Sequence, residues 1–203
     1  MTKIVALSAG LSEPSSTRLL IDKLADDATG RLRADGQDVQ VTTIELRELA
    51  QSITNNLVVG YADPELQSVL DAVAEADGLI VASPIFKASY NGLFKMFMDV
   101  MDNSALIGKP VLLAATGGTP RHSLAIESAM RPLFAYMQAF AVPTGVYASS
   151  EDWGASEETG LSARIARAGR EFAGLLAGTG LGRVQRTDNE IADETALTLM
   201  ELS

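Results

Sequence analysis

Gly78-Leu79-Ile80-Val81-Ala82 runs directly into Ser83-Pro84-Ile85-Phe86-Lys87-Ala88-Ser89-Tyr90-Asn91-Gly92-Leu93-Phe94-Lys95. The first five residues form an unbroken apolar run, which is what a strand buried on both faces looks like. Past Pro84 and a group of small polar residues, Leu93, Phe94, Phe97, Met98 and Met101 recur at helical spacing. The segment therefore reads as a crossing from strand to helix, at the carboxyl end of a parallel strand. Open α/β sheets bind ligands at such ends, best where the strand order reverses. A turn built this way can offer backbone N–H groups and an aromatic edge to a flat, hydrogen-bonding ring.

Working outward, the same alternation recurs on both sides. Lys3 to Ser8 reads as a strand, Ala9 to Ser16 as a hydroxyl-rich loop, and Thr17 onward as a helix with Ser15 or Ser16 as its N-cap. Val39 to Ile44 is a second strand. Glu45 to Ala62 is less regular, and Gln51 to Asn56 reads as loop. Asp63-Pro64 starts a helix, with Asp as cap and Pro at the first helical position. Later come a strand at Val111 to Ala115, the turn Thr116-Gly117-Gly118-Thr119-Pro120, and a helix carrying Leu124, Met130, Leu133, Phe134, Met137 and Phe140. A strand at Val142 to Ala148, a polar segment holding the single Trp (Trp153), and a helix from Leu161 to Leu176 complete the series. Five strands alternating with helices predict an α/β fold with a doubly wound, five-stranded parallel sheet in the order 2-1-3-4-5. Residues 1–178 are expected to form one domain, and 179–203 an acidic C-terminal tail.

The chain has 203 residues, no Cys and a formal charge of −10. Without Cys there is no disulfide, thiolate metal site or Cys nucleophile. An acidic surface excludes broad binding to nucleic acid or acidic lipid, which demands a basic face. No apolar run is long enough to span a bilayer, and the N-terminus lacks a signal-peptide layout, so a cytoplasmic location is expected.

Three strand-end loops carry the candidate chemistry. The first supplies Ser8, Ser12, Ser15, Ser16 and Thr17, either as a cradle for a terminal phosphate monoester or as an ordinary capping cluster. In the second, Phe86 either stacks on a flat ring or belongs to the core, and Lys87 is either a cation near that ring or a solvated surface residue. In the third, Gly117 and Gly118 let the backbone approach a planar ligand or simply make a turn. His122, the single His, is too solitary for a His-based metal site; it is a helix-start residue or a contact at a ligand's polar rim. Neither a dinucleotide fingerprint nor a Walker A loop is present.

Together the runs Ser8 to Leu20, Ser83 to Asp99 and Thr116 to Leu124 resemble the NADPH-dependent FMN reductase family, within the flavodoxin-like superfamily. They are most similar to the FMN reductases that supply reduced flavin to two-component monooxygenases. The resemblance covers Lys3 to Leu176. It implies an FMN phosphate at Ser8 and at Ser15, Ser16, Thr17 and Arg18. It places the flavin ring against Pro84, Ile85, Phe86 and Lys87 and the Thr116-Gly117-Gly118 turn. It implies NADPH or NADH as hydride donor, a partner monooxygenase, and a homodimer or homotetramer. No catalytic side chain is expected, because the flavin carries the chemistry. Ser128 stands where the sulfonate-linked members carry a Tyr, which bears on whether FMN is exchanged or retained. The alternatives are an FMN-containing quinone, azo or chromate reductase, and a flavodoxin-type electron carrier.

Overall fold

The computed structural model describes residues 1–154 and 160–178; the acidic tail assigned to residues 179–203 lies outside them. Strand β1 (Thr2–Ser8) leads into α1 (Ser16–Ala34) and β2 (Val39–Glu45). A 3-10 turn at Leu46–Leu49 passes into α2 (Ala50–Val59), and α3 (Pro64–Glu75) precedes β3 (Gly78–Phe86). The two-residue β4 (Ser89–Tyr90) is followed by α4 (Gly92–Asp99) and β5 (Pro110–Gly117). After a 3-10 turn at Pro120–His122 and a π turn at Ile126–Met130 come α5 (Arg131–Tyr136), β6 (Phe140–Ala141) and β7 (Val146–Ser149). A last 3-10 turn, Ser150–Gly154, and α6 (Leu161–Gly178) complete the described chain.

The sheet order is β2-β1-β3-β5-β6, with β7 also paired to β5 and β4 paired to β3. All pairings are parallel except the β3–β4 return. Side chains alternate across the sheet, as the strand period of two requires. Val5, Leu7, Leu79, Val81, Val111 and Leu113 face a layer that includes Phe94 and Phe97 of α4 and Phe134 of α5. Ile4, Ala6, Ile80, Ala82, Leu112 and Ala114 face the other way, against Leu20, Ile21 and Leu24 of α1 and Ile165 and Phe172 of α6. Both faces are dry, which is why the central strands are continuous apolar runs.

Several expectations are corrected. The sheet has seven strands rather than five. One extra strand is the short antiparallel return β4. The other is β6, Phe140–Ala141, which pairs with the start of β5 although the sequence places Phe140 on a helix; the strand expected at Val142 to Ala148 is confined to β7, Val146–Ser149, at the far end of β5, with Pro143, which has no N–H to donate, between the two. The loop expected at Gln51 to Asn56 lies inside α2, which buries Ile53 alone and stops at Gly60 with φ +81°. Its polar residues cover a solvent-facing helix surface, so a polar composition concealed a helix. β3 continues to Phe86, beyond the crossing expected at Ser83. Among the described residues no helix is long and apolar enough to cross a membrane.

Candidate functional site

The carboxyl ends of β1, β3, β5 and β7 open onto one cleft of about 430 Å³, within the size range of small-molecule sites. From the first loop and the start of α1 it is lined by Gly10, Leu11, Ser12, Ser16 and Thr17. The end of β3 supplies Pro84, Ile85 and Phe86, and the end of β5 supplies Thr116, Gly117 and Gly118. Ala148, Ser150 and Trp153 complete the lining from β7 and the turn after it.

Hydrogen bonds between loops far apart in sequence hold these walls in place. The first loop is tied to the second by Asn91. This side chain is buried, donates from Nδ2 to the Ala9 carbonyl at 2.7 Å, and accepts the Phe94 N–H at 2.8 Å as the N-cap of α4. The Asn91 N–H donates to Ser83 Oγ at 3.0 Å, closing the hairpin back onto β3. The first loop is tied to the third by the buried hydroxyls of Thr17 and Thr116, which lie 2.8 Å apart. The third loop is tied to β7 by Tyr147, whose hydroxyl donates to the Thr119 carbonyl at 2.6 Å. Burial, with the Asp152 carboxylate nearby, pushes the Tyr147 phenol above its ordinary pKa.

Two glycines are required by close approach rather than by turn geometry. A Cβ on Gly10 would lie 2.0 Å from Ser15 Oγ, the oxygen that accepts the Arg18 N–H at the N-cap of α1. A Cβ on Gly117 would lie 2.1 Å from the Tyr147 hydroxyl. The β3–β4 hairpin carries the opposite anomaly. Lys87 and Ala88 adopt φ of +52° and +69°, the sign a two-residue type I′ loop demands but one that side chains resist. That backbone fixes the preceding residue, Phe86, with half its surface exposed at the cleft.

The fourth wall is braced from α6. The Asp152 carboxylate accepts the Ser149 N–H at 2.8 Å and its hydroxyl at 2.6 Å, and is paired with Arg164. Arg164 also donates to the Tyr147 carbonyl at 3.1 Å. Burial opposes the charge on Asp152, but the Ser149 hydrogen bonds and the Arg164 guanidinium outweigh it and hold the carboxyl below its ordinary pKa. Ser150 and Trp153 are thereby presented on a clamped turn.

Of the residues singled out from sequence, Ser16, Thr17, Pro84, Ile85, Phe86, Thr116, Gly117 and Gly118 come together around the cleft. Five others do not line it. Ser8 is fully buried behind the first loop, its hydroxyl accepting the Gly10 N–H at 3.4 Å. Ser15 is spent on capping α1. The Arg18 guanidinium is bound to Asp22 and Glu45. Lys87 sits at the hairpin tip and His122 in the 3-10 turn of the third loop, both exposed. Ser128 lies within the π turn and donates from Oγ to the Leu124 carbonyl at 3.0 Å. Sequence reasoning missed Gly10, Leu11, Ala148, Ser150 and Trp153 as lining residues. The last three lie at or just past the end of the strand expected at Val142 to Ala148, so the carboxyl-end rule could have found them. The tie made by Asn91 is also invisible in the sequence, because its bond to Ala9, 82 positions away, leaves no local signal.

The donor set is hydroxyls and helix-start amides at one end, and apolar side chains with glycine backbone at the other. It suits a ligand with a phosphate tail and a flat ring. Residues 2–154 match the family described as NADPH-dependent FMN reductase. The chain belongs to this family. It is an oxidoreductase, and its reaction takes FMN and NAD(P)H. Among relatives of this FMN reductase is the FMN reductase (NADPH) of Pseudomonas aeruginosa, 43% identical, covering 87% of this chain and 93% of that protein. The NADH-dependent FMN reductase SfnF of Pseudomonas fluorescens is 41% identical, covering 88% of this chain and 94% of that protein. Among solved structures, an oxidoreductase from Corynebacterium diphtheriae is 45% identical, with a TM-score of 0.84 over 87% of this chain and 97% of that one. The cleft of this reductase lies at the carboxyl edge of its flavodoxin-like parallel sheet.

Proposed function

We propose that the cleft binds FMN with its phosphate at the first loop and its ring between the second and third. The observation that carries this reading is the convergence of Ser16 and Thr17, Pro84 to Phe86, and Gly117 with Gly118 on a single cleft. The residues fit the group. Ser12, Ser16 and Thr17 supply hydroxyls, and the first turn of α1 supplies amides whose dipole favours an anion. Pro84, Ile85 and Phe86 supply an apolar wall. A Cβ on Gly118 would meet nothing within 4 Å, so that backbone borders open space where a planar ring can lie against it.

FMN, when bound, supplies the hydride-accepting chemistry. The chain's own residues bind, orient and exclude water. The cross-links through Asn91, Thr17–Thr116 and Tyr147 keep the walls in register before any ligand arrives, which lowers the ordering cost of binding. Exposed Phe86 offers a movable edge at the cleft, on a hairpin whose strained tip holds its backbone in one conformation.

The reading extends to placement in a larger system. The reduced flavin passes to a separate monooxygenase, the protein works in the cytoplasm, and it assembles as a homodimer or homotetramer. Mass photometry tests the assembly. The site itself is tested by titrating the oxidised protein with FMN and with riboflavin, then adding NADPH or NADH without oxygen. Enzyme-dependent bleaching with at least one nucleotide, and its loss in Gly118→Val, is the expected result. Tight FMN binding unaffected by both Gly118→Val and Phe86→Ala would place the flavin elsewhere.

A further inference from the structure

Arg18 directly follows Thr17, which lines the cleft, yet its guanidinium is taken by two carboxylates. Nε–H donates to Asp22 Oδ1 at 2.8 Å, and a terminal N–H donates to Glu45 Oε1 at 2.8 Å. Glu45 ends β2 in register with Ser8 at the end of β1, so it lies directly beside the root of the first loop. Its side chain is only 14% exposed. The second Glu45 oxygen lies 3.1 Å from Nε of Arg47, an ionic contact that does not meet hydrogen-bond geometry. Arg47 reaches on to the Glu13 carboxylate at 3.2 Å and the Ser12 carbonyl at 3.5 Å, at the tip of the same loop. One largely buried carboxylate therefore pairs with two arginines, Arg18 and Arg47, next to the loop.

An arginine is a strong side-chain ligand for phosphate, because its planar fork pairs with two oxygens at once. Here the arginine nearest the helix start is neutralised by two acids. A phosphate at that helix start meets hydroxyls and amides, while the one guanidinium in the first turn of α1 is already paired. The arrangement weakens the grip on a charged tail without altering the fit of the ring.

We propose that Glu45 and Asp22 are positioning residues that hold Arg18 away from the flavin phosphate, and so set FMN affinity low enough for the flavin to exchange. This rests on the placement of the phosphate in the first loop proposed above. FMN is then a substrate that leaves after reduction, rather than a permanently held group.

The test is titration of apo protein with FMN and with riboflavin, at low and high salt. The proteins are wild type, Asp22→Asn, the double variant Asp22→Asn/Glu45→Gln, and the double variant with Arg18→Ala added. Freeing Arg18 should tighten FMN binding about tenfold in the double variant, the scale of one charge-assisted phosphate pair. Riboflavin affinity should change by less than about twofold, since it lacks the phosphate. The gain should shrink at high salt and vanish when Arg18→Ala is added. The KM for FMN should fall with the Kd, and kcat should fall too if flavin release limits turnover. Asp22 is only partly buried, so Asp22→Asn guards against misfolding of the double variant, with an expected gain of about threefold. No gain in a folded Asp22→Asn protein, or a gain that survives loss of Arg18, overturns the proposal. If wild type binds FMN and riboflavin equally well, the phosphate does not lie in the first loop; the placement then fails, and this inference falls with it.

Discussion

Replacing Asn91 by Ala removes two bonds at once, and their separate sizes can be worked out. The Asn91 side chain accepts the Phe94 N–H at 2.8 Å as the N-cap of α4. Losing an Asn cap costs about 1 kcal/mol. The same side chain donates to the Ala9 carbonyl at 2.7 Å from a position with only 2% of its surface exposed. A buried acceptor stripped of its donor costs about 1–3 kcal/mol. The sum is about 2–4 kcal/mol, or a fall in Tm of about 4–16 °C for a domain of this size. The bond from the Asn91 backbone N–H to Ser83 survives, so the hairpin itself should persist. Ser at this position keeps a capping oxygen but cannot reach Ala9, and should recover about 1 kcal/mol. Asp keeps the cap but sets a carboxylate against the Ala9 carbonyl, and should be no more stable than Ala. Because the bond joins the first loop to the second, FMN affinity should fall about tenfold or more, as expected when binding groups lose their register. Thermal melts and FMN titrations on the same samples test this. An Asn91→Ala protein melting within about 2 °C of wild type, or an Asp variant as stable as wild type, would refute the two-bond account.

Other substitutions probe the remaining walls. Gly117→Ala drives a methyl into the Tyr147 hydroxyl, 2.1 Å away, and should cost about 1–3 kcal/mol in a melt. Tyr147→Phe in the same protein should restore part of that loss, because the colliding oxygen is gone. Phe86 is half exposed, so Phe86→Ala should change stability by less than about 1 kcal/mol while weakening flavin binding; a large loss of stability would make Phe86 a core residue instead. Asp152 is held below the ordinary carboxylate pKa, so its bonds stabilise the 150–154 turn fully above its unfolded value of about 4. That contribution is lost as pH falls through the lower folded value. Emission from Trp153, the sole Trp, should therefore shift in acid, and Asp152→Asn should show the shifted emission already at neutral pH. Emission that moves only with global unfolding would count against a separately clamped turn.

Much of the site was legible because strand-end loops advertise themselves. An apolar run ending in Ser83-Pro84 or Thr116-Gly117-Gly118 marks a place where a buried strand reaches the sheet edge, and both loops do line the cleft. Gln51 to Asn56 failed for a physical reason: a helix that buries only Ile53 needs few apolar residues, so its composition is that of a loop. Arg18 is a different case. The family resemblance implies it at the phosphate, and only the tertiary structure shows its guanidinium bound by Asp22 and by Glu45, 27 residues further on.

Local chemistry along the chain thus determined the alternation of strands and helices, the N-cap at Asp63, and the parallel, doubly covered sheet. These depend on periodicity and on hydrogen bonds within a few residues. Only tertiary structure decided that Asn91 reaches Ala9, that Thr17 meets Thr116 across 99 positions, and that Trp153 forms a wall of the cleft. Contacts of that kind form only after the sheet has brought the loops to one edge. Their donors and acceptors are ordinary Asn, Thr and Tyr groups, whose partners are set by position in space and leave no pattern in the neighbouring residues.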